Sequence, residues 1–260
     1  MKAFSNPIPT LKEGSLEIDN LIGEEIAYKK GDDVYFAFID ILGFKQTSDE
    51  ELKQGATAFK NTCKLVFEYY FSLINASRFN ESNKCYAGQI SDSLYFYTKS
   101  EMILVDFLKL FSYFNLFAMS ENVFFRGGVA RGELFVKEPH QFYGNSVIYA
   151  YLLESVVAQR PTIYFSEEVH SALKDSEIRN GLIEQGHRFF LSPFLGYQFD
   201  IKDILQHDVS VPLKSISDEV KEKIRKNIDK NITKFQYDNN NFEKYIFLLN
   251  KFNEAGRKNG

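Results

Sequence analysis

Tryptophan is absent from this chain, and cysteine nearly so, with Cys63 and Cys85 the only two. Two thiols cannot build a disulfide framework or a cysteine-rich zinc site, so a reducing cytoplasm is the expected compartment. The four histidines, His140, His170, His187 and His207, have no metal-ligand spacing and are expected at the surface or in caps. A basic excess is lacking too. Lys and Arg number 31 against 35 Asp and Glu, a net charge of −4, which argues against a nucleic-acid partner. No stretch reads as the roughly 20 apolar residues of a membrane-spanning helix. Met1 to Gly14, with Pro7 and Pro9 and no long apolar core, does not read as a signal peptide. No Walker loop, Gly-x-Ser-x-Gly elbow or dinucleotide fingerprint occurs. The expectation is a soluble cytoplasmic protein without nucleic-acid or membrane partners.

What is plentiful is aromatic: 26 Phe and 15 Tyr in 260 residues. Those rings imply a bulky core and a buried subunit interface. The chain has no internal repeat or low-complexity linker. It divides into a leader (1–33), a catalytic domain (34–214) and a C-terminal helical extension (215–260). Val34 to Ile39 is a continuous apolar run, expected as a central strand covered on both faces. Apolar residues at three- and four-residue steps predict one helix over Asp49 to Ser77, its apolar face including Leu52, Phe59, Cys63 and Tyr70. Lys84–Ile90 and Ser93–Tyr97 read as a hairpin with Ser91-Asp92 at its tip. Helices are expected over Glu101–Ser120 and Asn145–Val157. Between them, Phe124–Arg126 and Val129–Phe135 form a strand pair or one bulged strand, broken at Gly127-Gly128. Thr162–Phe165 is a short strand, and Ser215–Lys234 and Glu243–Phe252 are amphipathic. This order predicts an α+β fold: a ferredoxin-like mixed sheet with packed helices, plus C-terminal helices.

The chemistry sits where buried runs end. Asp40 closes the strand in Phe38-Ile39-Asp40-Ile41-Leu42-Gly43-Phe44, and Asp92 sits at the hairpin tip. A lone strand-end aspartate is more often a cap or turn former than a metal ligand. If the two strands pair antiparallel, however, both carboxylates reach one sheet edge. Two such oxygens suit Mg²⁺ or Mn²⁺ over a polyphosphate. Gly43 allows a tight turn, and the N–H groups of Leu42, Gly43 and Phe44 entering the next helix can face phosphate oxygens. Phe125-Arg126-Gly127-Gly128-Val129-Ala130-Arg131-Gly132 places arginine and glycine within a strand, a pattern of close backbone or ligand approach.

Taken in order, these segments resemble the class III nucleotidyl cyclases. Phe38 to Phe44 is similar to their first metal motif, Asp92 to the second metal aspartate, and Arg126 to Leu134 to the Arg-x-Gly strand. Tyr143 to Glu154 is similar to the Gly-x-x-Val-Asn-x-Ala-x-Arg-Leu-Glu helix. The resemblance covers about Val34 to Ser166. Ile148 and Leu152 stand where that family has its ribose-binding asparagine and trans-acting arginine. Gly88 and Gln141 stand near its adenine-selecting lysine and aspartate. Metal ligands retained beside a changed base-reading half look like the Pycsar pyrimidine cyclases of bacterial anti-phage defence. Arg160-Pro161-Thr162-Ile163 is a displaced form of their Pro-Arg-Ile.

That resemblance implies cyclisation of UTP, less often CTP, to the 3′,5′-cyclic monophosphate, with pyrophosphate released and a separate effector protein reading the signal. It implies two Mg²⁺ or Mn²⁺ ions on Asp40, Asp92 and the Ile41 carbonyl, and a homodimer with its site at the interface. Gln141 would read the base. Arg126, Arg131 or Arg160 would supply the transition-state cation, with Arg126 placed in the catalytic set. Three other readings compete: a purine cyclase with a rearranged pocket, an inactive cyclase-like domain that senses nucleotide or a partner, and a polymerase-palm or diguanylate-cyclase relative. The last is disfavoured, because no Gly-Gly-Asp/Glu-Glu-Phe turn occurs at the hairpin.

Overall fold

The run from Val34 onward forms β1 (Asp32–Ile41), paired antiparallel along both edges. A strand with neighbours on both sides and layers on both faces leaves little room for polar residues along its middle. Val34 to Ala37, Ile39 and Ile41 are accordingly buried. This is a computed structural model, and it describes residues 31–79, 85–138, 141–206 and 216–258. Most of the expected leader, Lys84, His140 and His207 lie outside those residues. The rest groups into one compact unit, Gly31–Gly260.

Two helices follow β1, not the single one expected over Asp49–Ser77: α1 (Phe44–Gln54) and α2 (Ala58–Ala76). Gly55 adopts φ 66° at the end of α1, and the Ala56 N–H bonds back to Glu51, so the chain turns there. Such a left-handed stop is what glycine permits at least cost. Leu52, expected on the apolar face, is consequently 71% exposed. Next come β2 (Cys85–Ile90) and β3 (Ser93–Thr98), a hairpin, then α3 (Glu101–Ser120). The Ser100 hydroxyl caps α3 by accepting from the Ile103 N–H at 3.4 Å. By length and composition α3 can cross a membrane, contrary to the reading that no stretch can, but 72% of that window is buried. It is the core helix, its rings packed on α2 and the sheet.

The Arg-Gly-Gly segment is one continuous strand, β4 (Phe125–Glu138), rather than a pair or a strand bulged at Gly127-Gly128. Both glycines sit in regular register opposite Ile39 and Phe38. They are glycine because of what approaches them: a Cβ on Gly128 would meet the Ala150 carbonyl oxygen and Leu153 Cβ at 2.3 and 2.5 Å. The chain continues through β5 (Gln141–Tyr143), α4 (Asn145–Leu152) with a π-helical turn (Leu153–Val157), β6 (Ile163–Phe165) and α5 (Glu167–Leu173). β7 (Leu182–Gln185) and β8 (Arg188–Leu191) were not foreseen, and the chain closes with α6 (Asp218–Lys234) and α7 (Asn239–Lys258).

The sheet order is β2-β3-β1-β4-β6-β8-β7, with β5 beside β4. Its first four strands and the helices between them make the β-α-β-β-α-β arrangement of a ferredoxin-like core. β6 joins β4 in parallel and β8 antiparallel. Alternation along β1 splits the core into layers. Tyr35, Ala37, Ile39 and Ile41 face α2 and α3, while Val34, Phe36 and Phe38 face α4. A third cluster joins Leu116, Met119 and Phe124 to Ile224 and Ile228 of α6 and to Tyr245 and Leu248 of α7. One expected surface histidine is not at the surface. His170 is 5% exposed and stacks on Phe189 at 4.2 Å.

Candidate active site

Three adjacent strands place Ser93, Asp40 and Arg126 in one row across the sheet, Asp40 opposite Ser93 on β3 and opposite Arg126 on β4. Strand alternation puts all three on the face that carries α4. The Ser93 hydroxyl donates to Asp40 Oδ1 at 3.0 Å. Asp92 occupies the hairpin turn, preceded by Ser91 at φ 57°. Burial pushes the Asp40 carboxyl above its usual range, and the negative charge of Asp92 pushes the same way. Hydrogen bonds from Ser93 and the Ile41 N–H, and the Arg126 charge, offset part of this. The expected convergence of the two carboxylates at one sheet end is what the register produces.

Gly43 turns the chain with φ 75°, and α1 starts without a side-chain cap. The Leu42 N–H is taken by the Phe124 carbonyl at 2.8 Å, so of the expected phosphate-facing amides Leu42's is already used. Gly43 and Phe44 remain at the opening of the helix.

Sequence reasoning assigned no role to Glu154. It lies in the π-helical turn that extends α4, a distortion common at functional sites, and is 3% exposed. Its Oε1 lies 2.7 Å from Arg126 Nε. The N–H is not aimed at the oxygen, and neither atom has a hydrogen-bond partner among the described residues. The guanidinium also reaches the Ala158 carbonyl at 3.5 Å. Burial raises the Glu154 carboxyl from 4.5 to about 7; Arg126 opposes the rise, while Asp40 and Asp92 add to it. The charges of Asp40 and Asp92 therefore reach Glu154, and the Arg126 charge reaches both Glu154 and Asp40. The available signal was a single acid inside the apolar run Val147 to Val157.

Lys244 was also missed. It projects from the second turn of α7, half-buried, and donates to Asn241 Oδ1 at 2.9 Å. Burial lowers its pKa, and so does the Arg126 charge. Nothing in Glu243-Lys244-Tyr245 separates this lysine from its neighbours on a solvated helix.

The other expected residues lie elsewhere. Arg131 is bound to Asp33 at 2.7 Å, toward the opposite end of β1. Arg160 donates to Gln185 at 2.8 Å and lies over the Phe247 ring at 4.7 Å. Gln141 is exposed on β5, paired with Glu138 at the far end of β4. At about 3.3 Å per residue, the strand from Arg126 to Glu138 spans roughly 40 Å. Within one chain Gln141 and Asp40 do not share a pocket. Gly88 is crossed by the Tyr95 ring, whose hydroxyl would lie 2.3 Å from a Cβ. Among the described residues no group of three or more His, Cys, Asp or Glu side chains is arranged to hold a metal ion.

No family model matches the chain, and no curated protein does. Among solved structures it is similar to the guanylyl cyclase Cya2, with 13% sequence identity and a TM-score of 0.39, covering 72% of this chain and 100% of that one. A likeness at that level assigns neither a family nor an activity.

Proposed function

We propose that the chain is a nucleotidyl cyclase acting on a pyrimidine nucleoside triphosphate, UTP before CTP, and that its 3′,5′-cyclic product is an anti-phage signal read by a separate effector. The observation that carries the reading is Asp40 and Asp92 brought to one sheet end, the charge of Asp92 raising the cost of ionising Asp40, beside Arg126. Two repelling carboxylates on a half-buried edge are relieved by a divalent cation. Mg²⁺ commonly takes only one or two protein carboxylates and completes its shell with water and substrate phosphates. The donor set therefore fits, with Asp40, Asp92 and the Ile41 carbonyl as ligands. Two such ions would polarise the ribose 3′-hydroxyl and neutralise the departing pyrophosphate.

The chain's own residues do the rest by position and charge. Ser93 fixes the Asp40 carboxylate. Arg126, steadied by Glu154 and the Ala158 carbonyl, presents a cation beside the reacting phosphate. The ribose 3′-hydroxyl loses its proton to solvent as its oxygen attacks the α-phosphorus, the bond from the α-phosphorus to the oxygen bridging the β-phosphate breaks, and pyrophosphate leaves. Gln141 offers both a donor and an acceptor to a uracil edge. Its distance from Asp40 requires that it serve the partner subunit's site in a head-to-tail homodimer. Ile148, Tyr149, Tyr151, Leu152 and Val156 expose an apolar face along α4 and its π-turn, which suits such an interface. Incubating the purified protein with each of the four NTPs and Mn²⁺, with mass spectrometry of the products, tests this. A cyclic uridylate product is expected. A cyclic purine product would redirect the specificity, and no cyclic product from any of the four ends the proposal.

A further inference from the structure

Beyond the carboxylate end of the sheet, α7 and the β7–β8 hairpin enclose a cleft of about 600 Å³. Arg160, Lys244, Lys251, Gln159, Gln185 and Asn250 are among its walls. Phe247 and Phe190 in its lining pack edge-on at 5.9 Å, and outside the cleft Tyr245 holds α7 against Phe124 at 5.2 Å. Phe124 lies two residues before Arg126, and Gln159 directly follows Ala158, whose carbonyl Arg126 contacts. The wall of the cleft at Gln159 is thus one residue from the carbonyl that Arg126, at the end of the row, contacts.

The charges in it are not equally engaged. Lys251 is taken by Glu254 at 2.7 Å, and Arg160 lies over the Phe247 ring at 4.7 Å with its guanidinium on Gln185. Glu184 and Glu243 also line the cleft. Lys244 is anchored by an amide instead of a carboxylate. Asn241 accepts from it, and Asn241 is in turn locked to Asp238 by contacts of 2.6 and 3.2 Å. Lys244 is half-buried in the wall of the cleft, and burial and the Arg126 charge disfavour its ammonium while Asp238 favours it, so an anion placed against it stabilises the charge.

We infer that this cleft receives the polyphosphate tail of the substrate, with Lys244 on α7 as the cation that grips it from the same chain that supplies Asp40. This inference rests on the proposed cyclase reading. It makes the C-terminal helices part of the site: α7 fixes the end of the phosphate chain away from the ribose, and Lys244 remains on pyrophosphate as it departs. A cation at that end neutralises charge gathering on the leaving group.

The test uses the full-length protein and inorganic tripolyphosphate, metal-free, titrated by calorimetry. Wild type should bind it. Lys244→Gln should weaken binding about tenfold, the loss of one charge-assisted contact. Lys244→Arg should restore most of the affinity, and Lys230→Gln on the exposed side of α6, the same change in net charge, should leave it unaltered. Thermal unfolding of each variant separates local loss from misfolding; if Lys244→Gln does not fold, the Lys244→Arg and Asn241→Leu titrations decide alone. Asn241→Leu, which frees the anchored ammonium, should also weaken binding. No binding by wild type, or equal binding by folded Lys244→Gln and wild type, overturns the inference, and does so independently of turnover. If binding depends on Lys244 but no NTP is cyclised, the cleft stands as a polyphosphate site while the cyclase reading falls.

Discussion

Glu154 offers a sharp test of the site's electrostatics, because its carboxyl is 3% exposed and is raised from 4.5 to about 7. The sign follows from linkage. A carboxyl that binds its proton more tightly when folded contributes its stability fully below the unfolded pKa and loses it as pH rises through the folded one. The window is therefore from about 4.5 to about 7. A carboxyl raised from 4.5 to about 7 lowers the stability of the folded chain, relative to a group that does not titrate, by roughly 3 kcal/mol at pH 8, about 2 at pH 6 and a few tenths at pH 4. Glu154→Gln keeps the shape and removes the titration. The metal-free variant should be more stable than wild type by up to about 3 kcal/mol at pH 8, with the difference vanishing toward pH 4. Urea unfolding followed by circular dichroism across that range measures it, since the midpoint shifts while the slope stays constant. A variant less stable than wild type at pH 8, or a difference that does not change with pH, refutes the reasoning. It would mean that the Arg126 ion pair outweighs the cost of burying the charge.

Much of this was legible in the sequence where one local rule governs. The run Val34–Ile39 announced a central strand because both its faces are covered. The hairpin at Ser91-Asp92 follows from two β-rich runs separated by two residues, and the pairing of β1 with β3 then places Asp40 opposite Ser93. What escaped depends on contacts between distant parts of the chain. Gly127 and Gly128 looked like a strand break, but they sit in an unbroken ladder because α4 presses on Gly128. The Gly55 stop was lost inside a helical periodicity that continues on both sides of it. β7 and β8 are four residues each, too short for alternation to register. Glu154 and Lys244 gain their character only when α4 and α7 dock near Arg126. Of the three candidate arginines, only the fold separates Arg126 from Arg131, which is bound to Asp33, and from Arg160, which lies across Phe247.

Asp40→Ala and Asp92→Ala should each abolish cyclisation while leaving the fold intact, measured by product formation at saturating Mn²⁺; near-native turnover in either would remove it from the metal site. Gly128→Ala drives a Cβ to 2.3 Å from the Ala150 carbonyl oxygen, so about 1–3 kcal/mol or more of stability should be lost as α4 is displaced, seen as a lower urea midpoint. Leu152→Glu places a charge on the exposed apolar face of α4. Wild type should sediment at about twice 30.1 kDa and the variant at the monomer mass, whereas an active wild-type monomer contradicts the interface. The base preference then becomes a two-subunit question. Gln141 lies roughly 40 Å along β4 from Arg126, so it can read a base only at the partner subunit's site. Gln141→Asp should shift kcat/KM away from UTP by at least about tenfold, since a site built to hydrogen-bond one edge leaves polar groups unpaired with another. Mixing Gln141→Asp with Asp40→Ala subunits decides the geometry. In the mixed dimer one site has both defects and the other has neither, so uridylate cyclisation returns if Gln141 acts across the interface. If both residues served one site, each site would keep one defect and the mixture would stay as poor as its parents.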